Sequence, residues 1–184
     1  MSYGDKNIFS IPTVYKGIEM RSKLETKVAL FLDALKIKWE YEPKTFLLSN
    51  GIPYKPDFYL SEAKQWIEVK GVVGKNNHGI SELFVKDTQQ ELILISSEAV
   101  WFYELFGEPG EVWGQDGLQV GKCSSCGNYF FTGPYGIFSC RNCGTHEGDH
   151  DIFALLQNLS WDDEINFSCI KSIKSWLKRY KVKV

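Results

Sequence analysis

The sequence predicts an α/β domain followed by a small cysteine module and a helical tail. Three observations carry that reading: an apolar stripe at helical spacing early in the chain, a run of short strand-like segments after it, and four of the five cysteines gathered into two CxxC pairs. The chain has 184 residues, 43% hydrophobic and 15% aromatic, which supplies one medium core and excludes a disordered chain. The net charge of -2 and pI near 6.0 carry no global signature of nucleic-acid binding, so any such contact must come from local basic patches. Met1 to Ser10 has no charged stretch leading into an apolar one, and no apolar run approaches the roughly 18 residues that span a bilayer. The expectation is a cytoplasmic protein of a bacterial cell with no membrane partner.

Leu24, Val28, Phe31, Leu32 and Leu35 share one helical face, giving a helix over about Met20 to Ile37. Three strands are expected next, Thr45 to Leu48, Tyr54 to Leu60 and Gln65 to Val73, separated by Ser49-Asn50-Gly51 and Ser61 to Lys64. Lys75-Asn76-Asn77-His78-Gly79 reads as a loop, with His78 a loop residue, and Gly79 to Gln90 as a weaker helix through Ile80, Leu83 and Phe84. Glu91 to Ser97 is a buried strand and Val100 to Leu105 another, so the order is α-β-β-β-α-β with a further strand. Gly107-Glu108-Pro109-Gly110, followed by Gly114 and Gly117, is the linker candidate. The division is therefore residues 1–112, a cysteine module at 113–148, and a helical tail at 149–184 ending in the basic patch Lys178 to Lys183.

The second and third strands, taken as a hairpin around Glu62-Ala63, set Asp57 opposite Glu68, with Cβ atoms roughly 5 Å apart. Lys70 projects from the same face as Glu68, while Ile67 and Val69 point the other way into the core. Opposed carboxylates repel unless one is protonated or a cation lies between them, and hard oxygen donors suit Mg²⁺ or Mn²⁺. Such an ion polarises a phosphate oxygen, and a nearby lysine holds or deprotonates the attacking water, which is the chemistry of phosphodiester hydrolysis. The competing reading is a solvated hairpin face with alternating charges.

Pro56-Asp57, ten further residues and Glu68-Val69-Lys70 resemble the PD-(D/E)xK nuclease superfamily, over about Tyr15 to Phe106. The resemblance implies a restriction-endonuclease-like αβββαβ core with a mixed sheet and a divalent-metal-dependent endonuclease acting on DNA. Met20-Arg21-Ser22-Lys23-Leu24-Glu25 is similar to the opening helix of transposase-type and phage-type members, which implies Glu25 as a further metal ligand and a role in phage or mobile-element DNA processing. Ser22 and Glu25 also fit a capping box, in which Glu25 only serves the helix start. By the same resemblance the backbone carbonyl of Val69 is a metal ligand, and Lys86, Gln89 and Gln90 are candidates for substrate contact, with Arg21 beside the opening motif. Lys55 and Lys75 are candidates for phosphate, against plain surface roles.

Cys123-Ser-Ser-Cys126-Gly127 and Cys140-Arg-Asn-Cys143-Gly144 are two knuckles of identical form. Each CxxC aims two thiolates at one ion and the glycine permits the tight turn, so the pair predicts a four-thiolate Zn²⁺ site of structural type, with no open position for substrate. Tyr129-Phe130-Phe131 and Ile137-Phe138 flank a turn, and the whole resembles a zinc ribbon. Redox dithiols or disulfides are the competing readings. Arg141 is a further candidate nucleic-acid contact, while Cys169 reads as a buried small residue of the tail. Against the DNA endonuclease stand a catalytically silent nuclease fold used for nucleic-acid binding or docking, and an RNA nuclease. One such site cuts one strand, so double-strand cleavage implies a homodimer.

Overall fold

The structure, a computed structural model, describes residues 11–96, 99–106, 110–133 and 140–145. The expected tail and the segment Ile137-Phe138 lie outside them. In chain order the elements are β1 (Thr13–Tyr15), β2 (Ile18–Met20), α1 (Lys23–Ala34), β3 (Glu40–Tyr41), β4 (Phe46–Leu47), β5 (Pro53–Tyr54), β6 (Phe58–Leu60) and β7 (Gln65–Lys70), followed by α2 (Lys75–Thr88), β8 (Leu92–Ser96), β9 (Val100–Leu105), β10 (Val112–Asp116), β11 (Gln119–Lys122) and β12 (Tyr129–Thr132).

A six-stranded sheet runs in the order β10-β9-β8-β7-β6-β3. β7 and β8 pair in parallel across the α2 crossover, and the other neighbours are antiparallel, so the sheet is mixed. Alternation along the strands sends side chains to two cores. Phe58, Leu60, Ile67, Val69, Ile93, Ile95 and Phe102 meet Val28, Phe31 and Leu32 of α1, while Trp66, Leu92, Leu94 and Tyr103 meet Phe84 and Val85 of α2.

α1 starts at an N-cap, where Ser22 Oγ accepts the Glu25 N–H at 3.1 Å. It begins later than its apolar stripe suggests because Met20 closes the β1–β2 hairpin, which turns on Lys16 and Gly17 at φ 50° and 80°. That hairpin and the two-residue β3 are too short for a periodicity to register. The expected strand Tyr54 to Leu60 is two elements: Tyr54 pairs back to Phe46, and the ladder resumes at Phe58. Pro56, which has no N–H to give a ladder, lies in the break.

The segment Lys75 to Gly79, read as a loop, is the first turn of α2. Gly74 is its N-cap, and Asn77 Oδ1 accepts the Gly74 N–H at 2.9 Å, which offsets the poor helix propensity of Asn and Gly there. His78 is thereby a helix residue, bonded through Nδ1 to the Tyr103 hydroxyl and packed edge-on against Trp101.

The glycine-rich stretch read as a linker contributes β10, which pairs with β9 from Val112↔Leu105 to Asp116↔Trp101. Gly114 is there for close approach rather than freedom, since a Cβ would sit 2.8 Å from the Tyr103 ring. The cysteine module continues the same core: Val120, Phe130, Phe131, Cys123 and Cys140 are buried in one cluster with α1, and the Phe31 and Phe131 rings lie 6.3 Å apart. Among the described residues no helix is long and apolar enough to cross a membrane.

Candidate functional site

The β6–β7 register pairs Phe58 with Ile67, so one step further Asp57 faces Glu68, as the hairpin reading expects. Asp57 stops the ladder by substituting its side chain for a backbone partner: Oδ2 accepts the Val69 N–H at 2.6 Å, and Oδ1 lies 2.5 Å from Arg21 Nη2. Glu68 Oε1 pairs with Lys70 Nζ. Asp57 and Glu68 are 1% and 3% exposed, while the Lys70 side chain reaches solvent at 36%, so two buried carboxylates lie behind one accessible cation. Glu68 Oε2 and the Tyr54 hydroxyl are buried as neighbours without good hydrogen-bond geometry.

Burial and the charge of Glu68 push Asp57 up to about 7, against the pull of the Val69 N–H. Burial also raises Glu68, with Lys70 opposing the shift. Tyr54 is raised well above its ordinary value by burial and by the charges of Glu68 and Asp57. Two opposed, buried acids, both reluctant to ionise, have the chemistry of a site for a hard cation.

Glu25 is buried, and its contacts are those of the helix start: Oε2 accepts the Arg21 N–H at 3.0 Å and the Tyr41 hydroxyl at 2.5 Å, and Oε1 accepts the Ser22 hydroxyl at 2.7 Å. Arg21 is embedded among the acids, its Nη2 2.5 Å from Asp57 Oδ1 and 2.6 Å from Glu42 Oε1. Lys55 pairs with the other Glu42 oxygen. Tyr41, Glu42 and Tyr54 did not emerge from the sequence as members of this cluster. The signal for Glu42 lies in the register of β3, a strand too short to read.

Lys86, Gln89 and Gln90 are not brought to this cluster. α2 leaves the Lys70 end of β7 and runs back along the sheet, so its last turn lies at the Gln65 end. There Lys86 is exposed, Gln89 caps the helix at φ 59° with Nε2 donating to the Lys86 carbonyl at 2.7 Å, and Gln90 Oε1 accepts the Trp66 indole N–H at 2.6 Å. The α2 side chain that approaches the acids is the buried Ser81, through Tyr54. Arg141 pairs with Glu91, which also accepts Gln65 Nε2 at 2.6 Å, so it docks the second knuckle on the sheet.

Cys123, Cys126, Cys140 and Cys143 form the group among the described residues whose ligand atoms all lie within 4.8 Å of one another, and the carboxylates gather less tightly. The two knuckles match: Gly127 N–H bonds the Cys123 carbonyl and Gly144 N–H the Cys140 carbonyl, each at 2.8 Å, with both glycines near φ 75°. The Cys123–Cys143 and Cys126–Cys140 sulfur distances are both 3.6 Å. A tetrahedron of thiolates around zinc has edges of about 3.8 Å, so these four can hold a metal such as zinc. The Thr145 hydroxyl pulls the exposed Cys143 thiol down to about 6, while burial pushes Cys140 up to about 12.

No protein-family model and no curated protein matches this chain.

Proposed function

We propose that this protein is a divalent-metal-dependent endonuclease that hydrolyses phosphodiester bonds in DNA, on a restriction-endonuclease-like core, with a structural zinc ribbon. The observation that carries the reading is the facing pair Asp57 and Glu68, buried behind the accessible ammonium of Lys70. What supports the fold reading is α1 over an antiparallel β6–β7 pair, followed by a parallel crossover strand, in a mixed sheet.

Asp57 and Glu68 would hold Mg²⁺ or Mn²⁺, together with the carbonyl of Val69, the residue after Glu68. When bound, the ion polarises the scissile phosphate and offsets the charge that develops on it. Lys70, at the mouth of the site, orients the attacking water and moves its proton. Arg21 and Lys55 add local positive charge, which a chain of pI near 6.0 needs to meet a phosphate backbone. The four cysteines stabilise the module they close and take no part in the chemistry.

The Arg21–Asp57 contact is the observation that favours the other reading, a silent nuclease fold used for docking, since it neutralises an acid without any metal. Incubation of supercoiled plasmid, branched and single-stranded DNA, and RNA with Mg²⁺ or Mn²⁺ separates the two. The proposal expects metal-dependent cuts in DNA. Cleavage of RNA alone assigns the other substrate, and cleavage of nothing leaves the silent fold.

A further inference from the structure

The register that places Asp57 opposite Glu68 has a counterpart on its other side. β3 and β6 pair Glu40 with Tyr59 and Tyr41 with Phe58, so the next position sets Glu42 opposite Asp57, and the Glu42 N–H donates to the Asp57 carbonyl at 2.8 Å. Glu42, Asp57 and Glu68 therefore form one row of carboxylates across three neighbouring strands. Glu42 reaches its place at φ 46°, a left-handed conformation that is uncommon for a long side chain, and more so directly before a proline, Pro43. Such a conformation persists where the surrounding structure holds it in place, here through the Glu42 N–H bond to Asp57 and the two ion pairs of its carboxylate.

Two oxygens of the row, one on Glu42 and one on Glu68, lack a hydrogen bond. Glu42 Oε1 and Glu68 Oε2 are buried without good hydrogen-bond geometry, the first in a charge contact with Arg21 and the second beside the Tyr54 hydroxyl, while Glu42 Oε2 pairs with Lys55. Arg21 Nη2 sits 2.5 Å from Asp57 Oδ1 and 2.6 Å from Glu42 Oε1, so one positive nitrogen bridges two acids. A divalent ion binds carboxylate oxygens at about 2.1 Å, so the Asp57 and Glu42 oxygens each need to close by about half an ångström to hold an ion in that gap, and Glu68 swings in further to join them. The Arg21 side chain is 57% exposed, and solvent is open to it on leaving. Glu42 is held by two side-chain cations that an ion can replace, whereas both Glu25 oxygens take hydrogen bonds from the helix start, through Ser22, Tyr41 and the Arg21 N–H.

We propose that Glu42 is the third carboxylate ligand of the divalent cation and that Arg21 holds the ion's place until it binds, with Glu25 as a positioning residue that fixes Arg21 and Tyr41. This rests on the metal-dependent nuclease reading of Asp57 and Glu68.

The test is Mn²⁺ binding to the full chain without nucleic acid, read from free Mn²⁺ by electron paramagnetic resonance, with each variant checked by circular dichroism. Loss of a ligand in Glu42→Gln lowers affinity at least about tenfold, more than the indirect loss in Glu25→Gln, while Lys86→Gln at the far end of α2 stays within about threefold of wild type. Arg21→Gln raises affinity, because the competing cation is gone. Asp57→Asn is the control for the underlying reading and abolishes binding. If Asp57→Asn loses Mn²⁺ while Glu42→Gln keeps it, the Glu42 assignment is overturned alone; if Asp57→Asn keeps it, the nuclease-type site is overturned as well. Lower affinity in Arg21→Gln overturns the place-holding role. Wild-type protein gives a readout free of folding effects: Mg²⁺ titration shifts the Arg21 guanidinium nitrogen resonance with the midpoint of metal binding, and an unmoved resonance contradicts the displacement.

Discussion

Gln65 pairs with both backbone groups of Phe131, its Nε2 donating to the carbonyl at 2.6 Å and its Oε1 accepting the N–H at 3.0 Å. A side chain of β7 thus pairs with Phe131 as a neighbouring strand would, and it ties the cysteine module to the main sheet. Gln65→Leu leaves two buried backbone groups and Glu91 short of partners. The expected loss is about 2–4 kcal/mol, seen as a lower urea midpoint at unchanged slope.

The buried cysteines Cys123 and Cys140 share a core cluster with Phe31, Phe58 and Phe102, so the metal should stabilise more than its own module. Metal analysis should find about one zinc per chain, and Cys126→Ser or chelation should lower the melting temperature of one cooperative transition. A separate early transition, with the rest unmoved, would mean that the module folds independently.

The Asp57–Glu68 pairing was legible in the sequence because a short hairpin loop sets its own register, and the four cysteines because CxxC spacing is set by ligand geometry. The mixed sheet was expected through the nuclease resemblance, and the strand pairings bear it out. What stayed hidden was non-local. Glu42 joins the acids through a two-residue strand with no periodicity. Arg141 and Gln90, candidates for nucleic acid, are held by Glu91 and Trp66 in packing that only the folded chain displays. The glycines near Gly114 read as a linker because sequence alone cannot separate a flexible glycine from one pressed against a ring.

The shift of Asp57 makes stability depend on pH. An ordinary Asp ionises near 3.9, whereas burial and Glu68 raise Asp57 to about 7. The folded chain then holds a proton that the unfolded chain releases, so metal-free stability falls as pH rises from about 4 to about 7. Melting curves across that range should slope downward in wild type and less so in Asp57→Asn. Mn²⁺ needs the ionised acids, so the stabilisation it brings should grow as pH rises through about 7. A metal effect independent of pH would count against the acids as ligands.

Substitutions at the far end of α2 should separate packing from chemistry. Lys86→Ala should leave cleavage within about twofold, as an exposed lysine away from the acids. Gln90→Ala orphans the Trp66 indole N–H and should cost about 1–2 kcal/mol of stability without changing the metal requirement. A large loss of cleavage by folded Lys86→Ala would put nucleic acid on a face that the geometry assigns to structure.

The most direct test of the central claim is the rate of metal-dependent nicking of supercoiled DNA by wild type, Lys70→Ala and Asp57→Asn, with folding of each checked by circular dichroism. Wild type should nick only with Mg²⁺ or Mn²⁺, and each folded variant should be slower by at least about a hundredfold, the scale expected when a proton-moving group or a metal ligand is lost. Equal rates in all three proteins, or nicking that persists without a divalent ion, would contradict the account.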